Sequence, residues 1–218
     1  MELSYWESRW RKNKIGFNMP DGYPGLRKHW NSVQLPAEPE VLVPLCGKAI
    51  DMVWLEKQNA KVTGVEISEK AILEFMEENR RNYKTGSFAD FTLYKTGSIT
   101  IWRGDFLKLP KLKMPDFDLI YDKAALVALP KPMRSSYYHK LSELCSDKTS
   151  ILLHHFLYNQ DEMPGPPFSI GLDEIKSAFK NTFKTTILEK NELNLANFEK
   201  FRLRGLKSGL TEQLLLLS

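Results

Sequence analysis

The chain has 218 residues, 42% of them hydrophobic, with a formal net charge of +4. That length suffices for one α/β domain with a full core, and no apolar run is long enough to span a bilayer. The charge is mild and the lysines are scattered, which argues against a nucleic-acid footprint. Two cysteines, Cys46 and Cys145, supply neither a disulfide framework nor metal-ligand spacing.

The N-terminal stretch MELSYWESRWRK starts polar and lacks an apolar signal core, so a cytoplasmic location is the expectation. Residues 3 to 12 have the spacing of an amphipathic helix, with Trp6 and Trp10 on one face. That face can pack on the domain or, with Ile15-Gly16-Phe17 beside it, roof a planar ligand. The breaker-rich loop from Asn18 to Pro24 leads to a second helix, Leu26 to Leu35, so that residues 1–35 read as a helical cover.

Glu40 to Ser68, EVLVPLCGKAIDMVWLEKQNAKVTGVEIS, reads as strand, tight turn, helix, strand. Val41, Leu42 and Val43 form the short apolar run of a strand buried on both faces, ended by Pro44. Gly47 supplies the turn residue without a side chain, and Ala49 to Gln58 has helical spacing with Ile50, Val53 and Trp54 on one face. The next strand, Val62 to Val65, ends in Glu66. An acid about 20 positions past a glycine turn, at the tip of the second strand, is placed to bind two ribose hydroxyls. A dinucleotide asks for G-x-G-x-x-G and a Walker loop for G-x-x-x-x-G-K-[ST], whereas Leu45-Cys46-Gly47-Lys48-Ala49-Ile50 has one glycine and Ala49 after its lysine. S-adenosylmethionine has no phosphate, and this turn suits it better. A βαβ unit with an acidic strand end and no ligand is the plain alternative.

Ser68 is placed to cap a helix from Glu69 to about Tyr83, with Ile72, Phe75 and Met76 inward. Phe91 to Tyr94 and Ile99 to Trp102 read as a hairpin whose second arm joins the main sheet and ends at Gly104-Asp105. Asp105 can accept from an adenine amino group or cap a turn. A fourth strand, Asp116 to Asp122, brings Lys123 to the rim where open α/β sheets bind ligands. A helix from Lys131 to Cys145 and a strand from Thr149 to Leu157 follow, and the adjacent His154 and His155 point to opposite faces of that strand, against a metal pair. The long loop Tyr158 to Ser169 is stiffened by Pro164, Pro166 and Pro167 and suits a pocket wall. A helix from Asp173 to about Asn181 precedes a closing antiparallel pair, Phe183 to Glu189 and Leu210 to Leu217. No repeat or interior linker interrupts the chain, which predicts a single domain over residues 1–218.

W-x-x-x-W, IGF, PLCGK, GVEIS, FDLIYDKAALVAL and PGPPF occur in that order, and together they resemble the thiopurine S-methyltransferases, in particular their bacterial branch. The resemblance implies a Rossmann-like class I methyltransferase fold: a seven-stranded, mostly parallel sheet with helices on both faces and an antiparallel last strand. It implies S-adenosylmethionine as methyl donor and S-adenosylhomocysteine as product. Carried over by position, Trp10, Leu45 and Glu66 hold the cofactor, joined by Gly47 at the turn. Asp105 and Phe106 border the adenine, and Trp6 and Phe17 lie near cofactor and acceptor. Pro166 and Phe168 of PGPPF are assigned to the acceptor. Lys123 stands where the family usually has arginine, keeping the charge without the planar fork, and is expected to steer an acceptor or hold the cofactor's carboxylate. Asn18 stands where a histidine commonly follows IGF.

The expected reaction moves a methyl group to the thiol of a small aromatic or heterocyclic acceptor such as a thiopurine. The protein aligns the reactants, so no catalytic triad and no metal are assigned. Selenium or tellurium oxyanions, or another small nucleophile, are the alternative acceptors. From other classes, a nicotinamide-linked oxidoreductase and a non-catalytic binding domain are the competing readings. Partners are expected to be small molecules, with no nucleic acid and no membrane, and the state a monomer.

Overall fold

The computed structural model describes residues 3–179 and 182–218. The chain divides into two compact units, one made of the residues up to Tyr121 with Leu144–Thr149, the other of Asp122–Glu143 with Ser150–Ser218.

In the first unit, α1 (Leu3–Arg11) and α2 (Pro24–His29) precede β1 (Glu40–Pro44), α3 (Asp51–Lys57), β2 (Lys61–Glu66) and α4 (Glu69–Glu78). Then come β3 (Lys84–Phe88), β4 (Phe91–Thr96), β5 (Ile99–Arg103) and β6 (Leu119–Lys123), whose last two residues belong to the second unit. The strand order is β3-β4-β5-β2-β1-β6. Strand β1 runs parallel to β2 and β6, and β2 parallel to β5, so the carboxyl ends of these strands open on one rim. Val41, Leu42 and Val43 are all buried, as an apolar run between two covered faces must be.

Three helices of this unit end in the same way. Past α1, α3 and α4, Asn13, Asn59 and Arg80 take left-handed φ of 52°, 64° and 50°. The following amides reach back five residues, Lys14 to Arg9, Ala60 to Leu55 and Arg81 to Met76. This Schellman closure satisfies carbonyls that would otherwise lack partners. It also stops α4 at Glu78, five residues before the Tyr83 that periodicity suggests, and frees Lys84–Phe88 to form β3. That exposed edge strand is absent from the sequence reading. The second helix is likewise short, closing as a 3-10 turn at Trp30–Ser32. The inward face of α3 is Met52 and Leu55 with Asp51; Val53 and Trp54 lie on its flank, and the Trp54 ring meets Trp30 edge-on at 5.4 Å.

The second unit holds α5 (Lys131–Leu144), β7 (Ser150–Leu157), α6 (Leu172–Ala178), β8 (Thr185–Leu193), α7 (Glu199–Arg202) and β9 (Leu210–Leu217). Its strands lie in the order β7-β9-β8, with β9 antiparallel to both neighbours. A register shift between Ile187 and Glu189 lets β8 run on to Leu193, beyond the expected Glu189. The expected end of the preceding helix, about Asn181, lies outside the described residues. Beneath the long loop, Met163, Phe201, Leu206 and Leu210 form a small core of their own.

The seven strands of the expectation are present as β5-β2-β1-β6 and β7-β9-β8, the last strand antiparallel as foreseen. The correction is in number: β3 and β4 extend the first set, so the described residues contain nine strands. Among them no helix is long and apolar enough to cross a membrane.

Candidate active site

The turn after β1 is built for close approach. Leu45 and Gly47 both take left-handed φ, 47° and 53°. A Cβ on Gly47 would stand 2.9 Å from the ring of Trp10, so glycine is required twice, for its backbone and for its bareness. Trp10 is buried, and Phe17 meets both Trp10 and Trp6 edge-on, at 5.6 Å in each case. Trp6, Trp10 and Phe17 of the N-terminal segment therefore form one aromatic cluster, with Trp10 over the Gly47 turn.

Glu66 closes the turn from below. It is 5% exposed; its Oε2 accepts from the Gly47 amide at 2.8 Å and its Oε1 from the Ser68 amide at 2.7 Å. Burial raises its carboxyl above the ordinary value, and the amides of Ser68, Gly47 and Ile67 offset part of that rise. A carboxylate has about four lone-pair sites, so acceptor capacity is left for hydroxyl groups. The next strand end is tied to it, since the Gly104 amide donates to the Glu66 carbonyl at 2.9 Å. Asp105 follows, and its Oδ1 accepts from the Leu107 amide at 3.0 Å, capping a 3-10 turn in which Phe106 is buried. The turn cap of the sequence reading is thus present.

Two other groups at the turn are accounted for. Lys48 binds Glu74 at 2.8 Å and Glu78 at 2.6 Å, so its charge is already matched and is not held out to a pyrophosphate. Cys46 is buried, and burial followed by the Glu66 charge pushes its thiol well up, which removes it as a nucleophile.

In the second unit, Lys123 ends β6 and is half-buried; its charge acts on the buried His154, whose Nε2 lies 2.6 Å from Glu212. His155 turns the other way, its Nδ1 2.8 Å from the Ile170 carbonyl. Burial brings the His155 ring down to about 4. The PGPPF loop is fixed at each residue assigned from sequence. The Pro166 carbonyl accepts from Arg204 at 2.7 Å, that of Pro167 from the Tyr158 hydroxyl at 2.7 Å. The Phe168 amide donates to the Val127 carbonyl at 2.7 Å, and the Arg134 guanidinium lies over its ring at 5.6 Å. The peptide bonds before Pro166 and Pro167 are both cis.

The structure thus groups Trp6, Trp10, Phe17, Leu45, Gly47, Glu66, Asp105 and Phe106 in the first unit, and places Lys123, Pro166 and Phe168 in the second. The loop's anchors, Tyr158, Arg204, Arg134 and Val127, escaped the sequence reading. Nothing local marks them, because each acts across 9 to 41 residues of chain.

The whole chain has relatives among known proteins. A family model described as Thiopurine S-methyltransferase (TPMT) matches residues 1–217. A thiopurine S-methyltransferase of Pseudomonas aeruginosa is 36% identical over 217 residues, covering 100% of this chain and 99% of that protein. One from Azotobacter vinelandii is 37% identical, with 94% of each chain covered. Among solved structures, an S-adenosylmethionine-dependent methyltransferase from Anabaena variabilis superposes with a TM-score of 0.65 at 13% identity, covering 99% of this chain and 94% of that one. The Burkholderia thailandensis 1,6-didemethyltoxoflavin N1-methyltransferase, solved with S-adenosylhomocysteine, gives 0.60 at 12% identity, with 99% and 87% covered. The chain belongs to the thiopurine S-methyltransferase family and is a class I, S-adenosylmethionine-dependent methyltransferase.

Proposed function

We propose that this enzyme methylates the thiolate of a small aromatic or heterocyclic acceptor, with the donor's ribose on Glu66. The observation that carries the donor half is the Glu66 carboxylate: buried, bound by one amide on each oxygen, and still able to accept. Its fit to a ribose diol, together with a turn that offers no unmatched cation, suits a sulfonium nucleoside and not a dinucleotide. The amino-acid tail is assigned to the turn at Leu45 and Gly47, and Asp105 and Phe106 border the adenine. The bound donor supplies an electrophilic methyl group.

The chain's own residues align and enclose. Displacement at a sulfonium by a thiolate cancels charge, so excluding water favours it. Aromatic thiols are acidic enough to ionise near neutral pH, and no general base is assigned. Alignment of two reactants contributes as much as roughly 7–11 kcal/mol in favourable cases. In the first unit Trp6 and Phe17 are the residues we assign to the acceptor; in the second unit they are Pro166, Phe168 and the charge of Lys123. The names of the relatives, thiopurine S-methyltransferases, support this acceptor class.

Methyl transfer from labelled S-adenosylmethionine to 6-mercaptopurine is the test. Absence of transfer by protein that binds S-adenosylhomocysteine would retire the thiopurine reading but not the class. A second acceptor class, selenium or tellurium oxyanions, is favoured by the compact ammonium of Lys123, which suits a small anion without a flat face. Protection of growth on tellurite, lost with Glu66→Ala, would select it. We place the enzyme in the cytoplasm as a single domain and a monomer; sedimentation of the purified chain checks the monomer.

A further inference from the structure

The turn after β6 contains a carboxylate that the reaction does not use. Asp122 is fully buried. Its Oδ1 accepts from the amides of Ala125 at 3.2 Å and Leu126 at 3.0 Å, and its Oδ2 from the Tyr137 hydroxyl at 2.8 Å. These three partners are dipoles, none of them a cation. A buried charge held by dipoles alone is a costly way to stabilise a fold, and an apolar residue of similar shape would do as well. What this carboxylate supplies is geometry.

Between Asp122 and the two amides it captures, Ala124 takes a left-handed φ of 65°, a conformation that a residue with a Cβ avoids unless its neighbours impose it. On one side of Ala124 is Lys123. On the other is the short turn Leu126–Ala128, whose Val127 carbonyl receives the Phe168 amide. Arg134, three residues before Tyr137 on α5, reinforces the same turn. Its Nε donates to the Leu129 carbonyl at 3.0 Å while its Nη1 holds both oxygens of Glu174, at 3.1 and 2.9 Å. Two acceptor-facing groups that lie 45 residues apart in the chain, Lys123 and Phe168, are thereby referred to one buried carboxylate.

We propose that Asp122, locked by the Tyr137 hydroxyl, is a positioning residue for the acceptor: it sets the exit of Lys123 and the docking of the Pro166–Phe168 wall together. This rests on the reading that Lys123 and Phe168 meet the acceptor. Tyr137→Phe deletes one oxygen from the clamp. Asp122→Ala deletes the clamp, and Asp122→Asn keeps an oxygen for the two amides. In Tyr137→Phe and Asp122→Ala, hydrogen exchange of the Phe168 amide should accelerate about tenfold and the KM for 6-mercaptopurine rise about tenfold, the scale of one lost hydrogen bond. The Kd for S-adenosylhomocysteine should stay within about twofold, as for a separate site. Asp122→Asn should restore most of both losses. Unchanged exchange at Phe168 would overturn the proposal. So would donor affinity falling and acceptor KM rising together as Tm falls, the pattern of a purely structural residue. Should Asp122→Ala fail to fold, Tyr137→Phe carries the test alone. Wild-type protein inert toward 6-mercaptopurine would refute the acceptor reading by itself, and the exchange measurement would still decide the clamp.

Discussion

Glu66 and Asp122 invite comparison. Each stands at the carboxyl end of a parallel strand, each is withdrawn from water, and each captures two backbone amides. In both, burial lifts the carboxyl above its ordinary value, for Asp122 to about 6. They differ in the third partner. Asp122 is sealed by the Tyr137 hydroxyl and has no exposed surface, whereas Glu66 keeps 5% of its surface and uncommitted lone pairs. On the proposed reading, a carboxylate in the same kind of strand end is a ligand in one place and a fixture in the other. One phenol and a sliver of exposure decide which.

Replacing Glu66 by alanine should break the comparison hardest. Two charge-assisted hydrogen bonds to the ribose are lost, about 3–6 kcal/mol together, so donor affinity should fall by two orders of magnitude or more in a calorimetric titration. Next is the pH dependence of stability. The folded state holds the Asp122 proton more tightly than the unfolded chain between the ordinary value of 3.8 and about 6. Stability from this group is full below that interval and falls by about 3 kcal/mol as pH rises through it. Asp122→Asn should erase that fall, gaining Tm relative to wild type from pH 4 to pH 7. His155 works with the opposite sign: its ring, 6.5 when free and about 4 here, contributes about 3 kcal/mol above the interval that is lost as pH falls through it. Acid melts of a His155→Gln variant should show the weaker slope. Gly47→Ala should cost about 1–2 kcal/mol for the left-handed backbone alone. The methyl group also displaces Trp10, so tryptophan fluorescence and donor affinity should change together. The smallest effect belongs to Lys48→Ala, which should cost under about 1 kcal/mol of stability and leave donor affinity unchanged. A large loss of affinity would return a phosphate-like role to that lysine.

The β1–Gly47–α3–β2–Glu66 unit was legible because its signals are local: an apolar triplet, one glycine, an acid at a strand tip. Its helix-packing face was less so, since Trp54 satisfies an apolar pattern while sitting on the flank against Trp30. Strand β3 was hidden by a helical pattern that continues past Arg80, where a left-handed closure overrides propensity. Lys123 and the PGPPF loop were visible as motifs, but not the clamp that binds them. Asp122 and Tyr137 meet through the packing of α5, and Val127 and Phe168 through a single backbone bond, neither of which leaves a periodic trace.

The bond from the Gly47 amide to Glu66 has a thermodynamic corollary. A side chain that is reluctant to ionise in the empty protein becomes less so once sugar hydroxyls join its amide partners. On the proposed reading, uptake of the nucleoside in mildly acidic solution therefore expels a fraction of a proton. The measured heat of binding will then vary with the ionisation enthalpy of the buffer, and that variation will vanish in alkali.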